Sequence, residues 1–364
     1  MPEKYISRRD FLKTAVLLFG GVALSKIAEP IADGLLESSF ENLMIVPAFP
    51  LPQQLNGLLI NSPFLWRYPQ IQKSVISQSL EAGVYNLRLF ANDDIEPRLG
   101  SYEIKAVEAI SRLNKNIAYQ SDNLHTIISL YDAYGMKIRN NLIYGQNTIT
   151  SPYSDGSETS YRNFFTDKKT RQFFLNRIKM LVESLGDSPV ISAWEVGNEF
   201  APPQGMDGQR IFQDWFLEVV DTIHKIDKVR PILTGVEKPW DLDEKKLDNK
   251  NVINTVHIYL PSAITNFCAF LQNKNRKLPL LVEETGFPGR LMGFDFPTLF
   301  ADIGYNNFIH KIIRAATFSN NLLAIDSLGL WKIDGYNDGF PNPLELPLTR
   351  ETIAKFVSCV NRKT

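Results

Sequence analysis

The chain has only two cysteines, Cys268 and Cys359, in 364 residues. So few, so far apart, exclude a disulfide framework and a CxxC metal site, which leaves two buried free thiols or one long-range pair. Histidine is nearly as sparse. His125, His224, His257 and His310 are all there are, and no two stand in H-x-H or H-x-x-x-H spacing, so the usual signature of a barrel metal centre is missing. Net charge is missing too. With 39 basic against 40 acidic side chains the formal charge is -1, which leaves no electrostatic footprint for nucleic acid or an anionic membrane and points to a neutral partner. Internal repeats, low-complexity blocks and interdomain linkers are also lacking.

What is present is a globular composition. A hydrophobic content of 44% with ordinary glycine and proline counts can bury a large core, as one barrel-sized domain or two smaller ones. The N-terminus stands apart. Ser7-Arg8-Arg9-Asp10-Phe11-Leu12-Lys13 resembles a twin-arginine export signal, and a mildly apolar run from Thr14 to Leu24 follows, too short to span a bilayer comfortably. The resemblance implies passage through the twin-arginine translocase to the periplasm, cell surface or exterior, with no membrane span in the mature protein. Residues 1–30 are assigned to this signal and 31–43 to a short connection. No clean small-x-small site marks cleavage near residue 30, so removal and retention as an anchor both stay open.

From residue 44 to 364 strand-like and helix-like segments alternate, the pattern of an α/β fold with a parallel sheet. Leu58 to Ile60 reads as strand one, and Ile71 to Ala82 as a helix closed by Gly83. Tyr85 to Phe90 is strand two. Leu124 to Tyr134 reads as a helix closed by Gly135, with Met136 to Tyr144 as strand three. A longer helix from Lys168 to Leu185 stops at Gly186, before a strand at Pro189 to Trp194, and Ile211 to Ile226 is amphipathic. Pro231–Val236, Thr255–Tyr259, Leu278–Glu284 and Ser327–Ile333 complete eight strands, which fits a (β/α)₈ barrel with long loops. Ser151–Tyr161 and Leu242–Lys250 read as polar loops.

Two of these apolar runs stop on acid. Trp194-Glu195-Val196-Gly197-Asn198-Glu199 carries an Asn-Glu pair where strand four emerges, and Leu281-Val282-Glu283-Glu284-Thr285-Gly286 ends strand seven. In a parallel barrel the residues past such strand ends face the active site. Strand alternation sends Glu283 and Glu284 to opposite faces, and the spacing favours Glu284 as the inward one. Glu195 shares parity with Glu199 and reads as a hydrogen-bonded structural acid lower in the barrel. Glu237, after strand five, is a competing acid, read as substrate-binding or surface.

These residues resemble glycoside hydrolase clan A, family 5 above all. The match rests on Asn198-Glu199 and Glu284-Thr285-Gly286, on Arg88 in strand two, on His257-Ile258-Tyr259 in strand six and on Trp331 in strand eight. The resemblance implies a retaining glycosidase acting on a β-linked glycan without cofactor or metal. Glu199 would be the acid/base, Glu284 the nucleophile, and Arg88, Asn198, His257, Tyr259 and Trp331 would bind substrate or support the pair. Each role has a physical basis. A guanidinium at Arg88 and the Tyr259 phenol would favour an ionised nucleophile, whereas burial and that neighbouring charge would keep the acid protonated. Asn198 could donate to the sugar 2-hydroxyl, and Trp331 offers a flat apolar face, with core packing as its alternative role.

The pattern also has departures. Phe200-Ala201-Pro202 follows the acid where many relatives have proline directly, and Arg139-Asn140-Asn141-Leu142 lacks the histidine that cellulase-like members carry after strand three. Phe164-Phe165-Thr166-Asp167 and Asp338-Gly339-Phe340 look more like the endo-β-mannanase branch, so β-mannan is favoured over β-glucan. A catalytically silent carbohydrate-binding barrel and a metal-dependent hydrolase are the alternative functions.

Overall fold

The computed structural model describes residues 52, 55, 57–91 except 82, 102–133, 148–150, 158–236 except 204, 238–258, 277–285, 290–291, 294–295 and 327–331. Within these, eight parallel strands close a barrel in chain order. They are β1 (Gly57–Asn61), β2 (Val84–Phe90), β3 (His125–Ser129), β4 (Ile191–Glu195), β5 (Ile232–Leu233), β6 (Val252–Ile258), β7 (Leu280–Thr285) and β8 (Ser327–Trp331). The seam is in register. Gly57 lies opposite Ser327 and Asn61 opposite Trp331, so no strand edge is left open.

Among the described residues four long helices pack outside: α1 (Pro69–Glu81), α2 (Tyr102–Gln120), α3 (Lys168–Leu185) and α4 (Gly208–Ile226). Their periodicity explains their placement. In α3 the side chains of Phe174, Ile178, Leu181, Val182 and Leu185 are buried, and in α4 those of Phe212, Trp215, Phe216, Val219 and Ile223, each a stripe at helical spacing. Asp167 starts α3 by accepting a hydrogen bond from the Thr170 amide at 2.7 Å.

Strand three stands earlier than its sequence pattern suggested. Residues 125–129 form β3, not part of a helix, and the helix before it is α2. The reason is burial on both faces: Thr126, Ile127 and Ile128 are all covered, and β-branched side chains stacked in that way suit a two-sided strand better than a helix. Met136–Tyr144, where the sequence pattern places the strand, lies outside the described residues. The two polar loops also carry structure: Thr148–Thr150 pairs antiparallel with Glu158–Ser160, Tyr161–Thr166 is a short helix that buries Tyr161, Phe164 and Phe165, and Glu244–Leu247 is a single helical turn. Residues 1–51, which include the segment read as an export signal, and both cysteines lie outside the described residues.

The barrel interior is layered. Leu59, Ile127, Ala193, Leu233, Ile253 and Leu281 form an apolar plug. One pleat higher, Asn61, Arg88, Ser129, Glu195 and Glu283 form a buried polar layer, bonded to one another. The larger core lies between sheet and helices and includes an aromatic cluster of Phe164, Phe165, Phe174, Phe200 and Trp215.

Candidate active site

Above the polar layer the C-terminal ends of β2, β4, β6 and β7 bring Arg88, Asn198, Glu199, His257 and Glu284 together. The turn after β4 is fixed from several sides. Asn198 bridges to Asp132, Phe200 bridges to Val236, and the Asn198 amide donates to the Tyr131 carbonyl at 2.6 Å. Glu199, between those bridges, has a φ of +55°. A non-glycine residue in the left-handed region is uncommon and is held there by its surroundings, a pattern frequent at functional sites. Gly197 is required by close approach: a Cβ there would meet the Tyr131 carbonyl oxygen and the Phe200 ring, each at 2.6 Å.

Arg88 is the organising cation. Its Nε and Nη2 donate to Glu195 Oε2 and Oε1 at 2.5 and 2.7 Å, and Nη2 also donates to Asn198 Oδ1 at 3.0 Å. Its Nη1 donates to Asn61 Oδ1 at 2.9 Å and to Glu284 Oε1. Burial alone would lower the guanidinium pKa, but Glu195, Glu283 and Glu284 outweigh it and raise it further. Asn198 in turn donates from Nδ2 to Asp132 Oδ1 at 2.9 Å, so both ends of its amide are oriented.

The expected alternation of Glu283 and Glu284 does not hold. Glu283 continues the inward parity of Leu281, and Glu284 reaches the same interior because β7 is irregular at that point. Val256 pairs with Val282 and the next residue, His257, pairs with Glu284, so Glu283 is an inserted residue in the ladder. Such a bulge turns consecutive side chains toward one side. Both carboxyls are buried, and both contact Arg88.

His257 joins the two strand ends. Its Nδ1 lies 2.8 Å from Glu199 Oε1 and 3.4 Å from Glu284 Oε2, and its Nε2 lies 3.5 Å from Glu283 Oε2. Burial would lower its pKa, yet Glu284, Glu199 and Glu283 together raise it to about 10. The carboxyls below share out charge in the same manner. Burial, with Glu283 beside it, pushes Glu195 up to about 8 against the pull of Arg88, whereas at Glu283 the burial penalty is overcome by Arg88 and His257, which hold it at about 2.

One ligand atom from each of Glu199, His257 and Glu284 lies within 4.8 Å of the others, a grouping able to receive a cation. The histidine-spacing rule misses it because its members come from three strands. Its closest edge, 2.8 Å from Nδ1 to Glu199, is a direct hydrogen bond, shorter than the roughly 3.3 Å edge of a tetrahedral site with bonds of about 2.0–2.1 Å. The geometry suits an acid–base pair better than a metal centre.

The remaining expected residues are placed unevenly. Trp331 ends β8 beside Asn61, although its side chain lies outside the described residues, as do Tyr259, Glu237, Arg139–Leu142 and Asp338–Phe340. Glu195 has the structural role expected of it. Phe164 and Phe165 pack in the aromatic core and Asp167 caps α3, so that segment serves packing and capping. Sequence reasoning missed Asp132, because strand three was placed too late, and Glu283, because parity set it aside.

No family model matches the chain, and no curated protein matches it by sequence. Solved structures do match in fold. The endo-β-1,4-mannanase from Thermotoga petrophila is 14% identical at a TM-score of 0.57, over 85% of this chain and 78% of that one. The endo-1,4-β-mannanase from Rhizomucor miehei is 15% identical at 0.57, over 88% and 99%. Endo-glycoceramidase II from Rhodococcus sp. is 13% identical at 0.55, over 86% and 81%. These likenesses define the class of fold, a (β/α)₈ barrel.

Proposed function

We propose that the protein is a retaining glycoside hydrolase of the clan A, family 5 type that cleaves β-linked glycans, β-mannan ahead of β-glucan. One observation carries the reading. Glu199 and Glu284, delivered from the ends of β4 and β7, bring carboxylate oxygens within 4.8 Å of each other. A retaining pair needs about 5–5.5 Å between carboxyls, whereas an inverting pair needs about 6.5–9.5 Å to admit a water.

In this reading Glu284 attacks the anomeric carbon while Glu199 gives its proton to the departing glycosidic oxygen. Glu199, now a carboxylate, then takes a proton from the water that releases the glycosyl-enzyme, and the configuration is retained. Arg88 holds Glu284 by its Nη1 contact and Asn198 by its Oδ1. One N–H of the Asn198 amide goes to Asp132, and the other would meet the sugar 2-hydroxyl. Tyr259 and Trp331 keep their assigned roles at the nucleophile and beneath the sugar. The mannanase likenesses support the substrate preference.

The test is a panel of β-linked oligosaccharides, mannan and glucan included, with product anomers followed by NMR. Retained configuration with loss of turnover in Glu284→Ala is expected; an inverted product or an active Glu284→Ala variant would overturn the mechanism. Binding without turnover would favour the silent barrel. Export by the twin-arginine translocase belongs to the same proposal, and equal export by hosts with and without that translocase would contradict it.

A further inference from the structure

Glu283 has no part in the two-carboxylate chemistry, yet the bulge in β7 turns it into the interior, where its side chain is 0% exposed. Neither of its oxygens makes a hydrogen bond among the described residues. What they face are the Arg88 guanidinium, Nε at 3.3 Å, and the His257 ring, Nε2 at 3.5 Å. His257 Nε2 likewise has no hydrogen bond among the described residues, while Nδ1 on the other side of the ring meets Glu199 at 2.8 Å. The ring therefore lies between a buried carboxylate and Glu199.

Resting on the glycosidase reading, we propose that Glu283 is a positioning residue that fixes the Nε2–H form of His257, so that Nδ1 and Glu199 share the proton used on the leaving group. The charge environment agrees. From β2 Arg88 faces both β7 carboxyls, from β4 Glu195 is tied to Arg88, and from β7 Glu283 and Glu284 flank the ring, with Glu199 completing the shell. A carboxylate at Nε2 favours a proton on that nitrogen, and which ring nitrogen is protonated is set by the partner of the other. Nδ1 is thereby left to exchange with Glu199. At rest the shared proton sits on either atom of the Nδ1···Oε1 contact. When the glycosidic oxygen leaves, the O–H bond of Glu199 breaks toward it and His257 stays neutral with its Nε2–H intact. When water attacks the glycosyl-enzyme, its proton returns to the same pair, so the cycle balances.

The experiment compares the full chain with Glu283→Gln, which keeps the shape and an acceptor oxygen but removes the charge. The alkaline limb of the kcat/KM profile should move down by about one pH unit, since the pair then holds its proton less tightly. A uniform loss of activity or a lowered Tm with an unmoved limb would show a merely structural role and overturn the proposal. Nitrogen-15 NMR of the His257 ring in the unmodified protein reads the tautomer directly. Protonated Nε2 with an exchanging Nδ1 is expected, and a neutral Nδ1–H form would overturn it even if Glu283→Gln fails to fold. The two readings fail separately. Absence of hydrolysis on every β-glycan rejects the glycosidase, whereas the tautomer tests Glu283 alone.

Discussion

Arg88 and Glu195 meet as a two-pronged pair, Nε to Oε2 at 2.5 Å and Nη2 to Oε1 at 2.7 Å, with both side chains fully buried. The rigid fork leaves Nη1 pointed at Glu284, so one planar group couples a structural acid to the proposed nucleophile.

An ammonium has no such fork. Arg88→Lys is expected to lose at least about a hundredfold in kcat/KM, because displacement of a positioned group by about 1 Å costs that much. Arg88→Ala should also destabilise the fold by about 3–5 kcal/mol, the usual cost of leaving a buried carboxylate without its partner. Steady-state kinetics and chemical denaturation check the two effects. Normal activity in Arg88→Lys would show that Nη1 does not position Glu284.

Removing the acid has a different signature from removing the nucleophile. Glu199→Ala should lower kcat by about 10²–10⁴ on an ordinary glycan, the range for a positioned general acid. On an aryl glycoside with a good leaving group the first step needs little protonation, so the loss should be smaller and added azide should accelerate turnover. Equal losses on both substrates, with no azide effect, would argue against the acid role.

That the acids at the ends of β4 and β7 lie together was legible because an apolar run ending on acid has a meaning in a parallel barrel. Glu195 was legible by its parity with Glu199, and Arg88 through the family resemblance. What parity could not reveal was its own interruption: a bulge at Glu283 depends on how β7 pairs with β6, and pairing is a long-range fact. Strand three was misread because Leu124–Leu130 is apolar enough for either element, and only contacts with β2 and β4 decide. The mannanase-like Phe164-Phe165 dipeptide turned out to be buried packing, a role that local spelling does not distinguish from substrate contact.

Gly235 supplies a prediction about the floor of the site. Its φ is +57°, and a Cβ there would stand 1.9 Å from the Gly197 carbonyl oxygen and 2.6 Å from Glu195 Oε1. Gly235→Ala should therefore strain the backbone and push on the turn that carries Asn198 and Glu199, at about 2–4 kcal/mol of stability. A thermal melt with unchanged Tm would show that the two turns have room to separate.

Chelation separates the acid–base reading from a metal-dependent one. If Glu199, His257 and Glu284 act by proton transfer and covalent attack, dialysis against EDTA should leave kcat within about twofold, because the mechanism needs no Lewis acid. Loss of activity on chelation, restored by one divalent metal, would instead make this trio a metal centre.

Stability should follow pH in a pattern set by two kinds of group. At His257 the folded value of about 10 lies above the ordinary 6.5, so its contribution is complete below 6.5 and is lost as pH rises through 10. Glu195, raised to about 8 from 4.5, acts in the same sense: its contribution is present below 4.5 and is lost as pH rises through 8. Asp227 works in the opposite direction. Burial would raise it, but hydrogen bonds from the Trp194 indole at 2.9 Å and Arg230 Nη1 at 2.6 Å hold it at about 2, below its usual 3.8. Its contribution is present above 3.8 and is lost as pH falls through 2. Melts across pH should therefore peak at mildly acidic pH and fall on both sides. Asp227→Asn should cost about 1–2 kcal/mol at neutral pH, discounted for its partial solvent contact, and should lessen the acid-side fall, to which Glu283 also contributes. His257→Gln should lessen the alkaline fall and leave the part due to Glu195. A Tm that rises steadily from pH 5 to pH 10 would contradict the raised pKa of His257 and, with it, the proton shared between Nδ1 and Glu199.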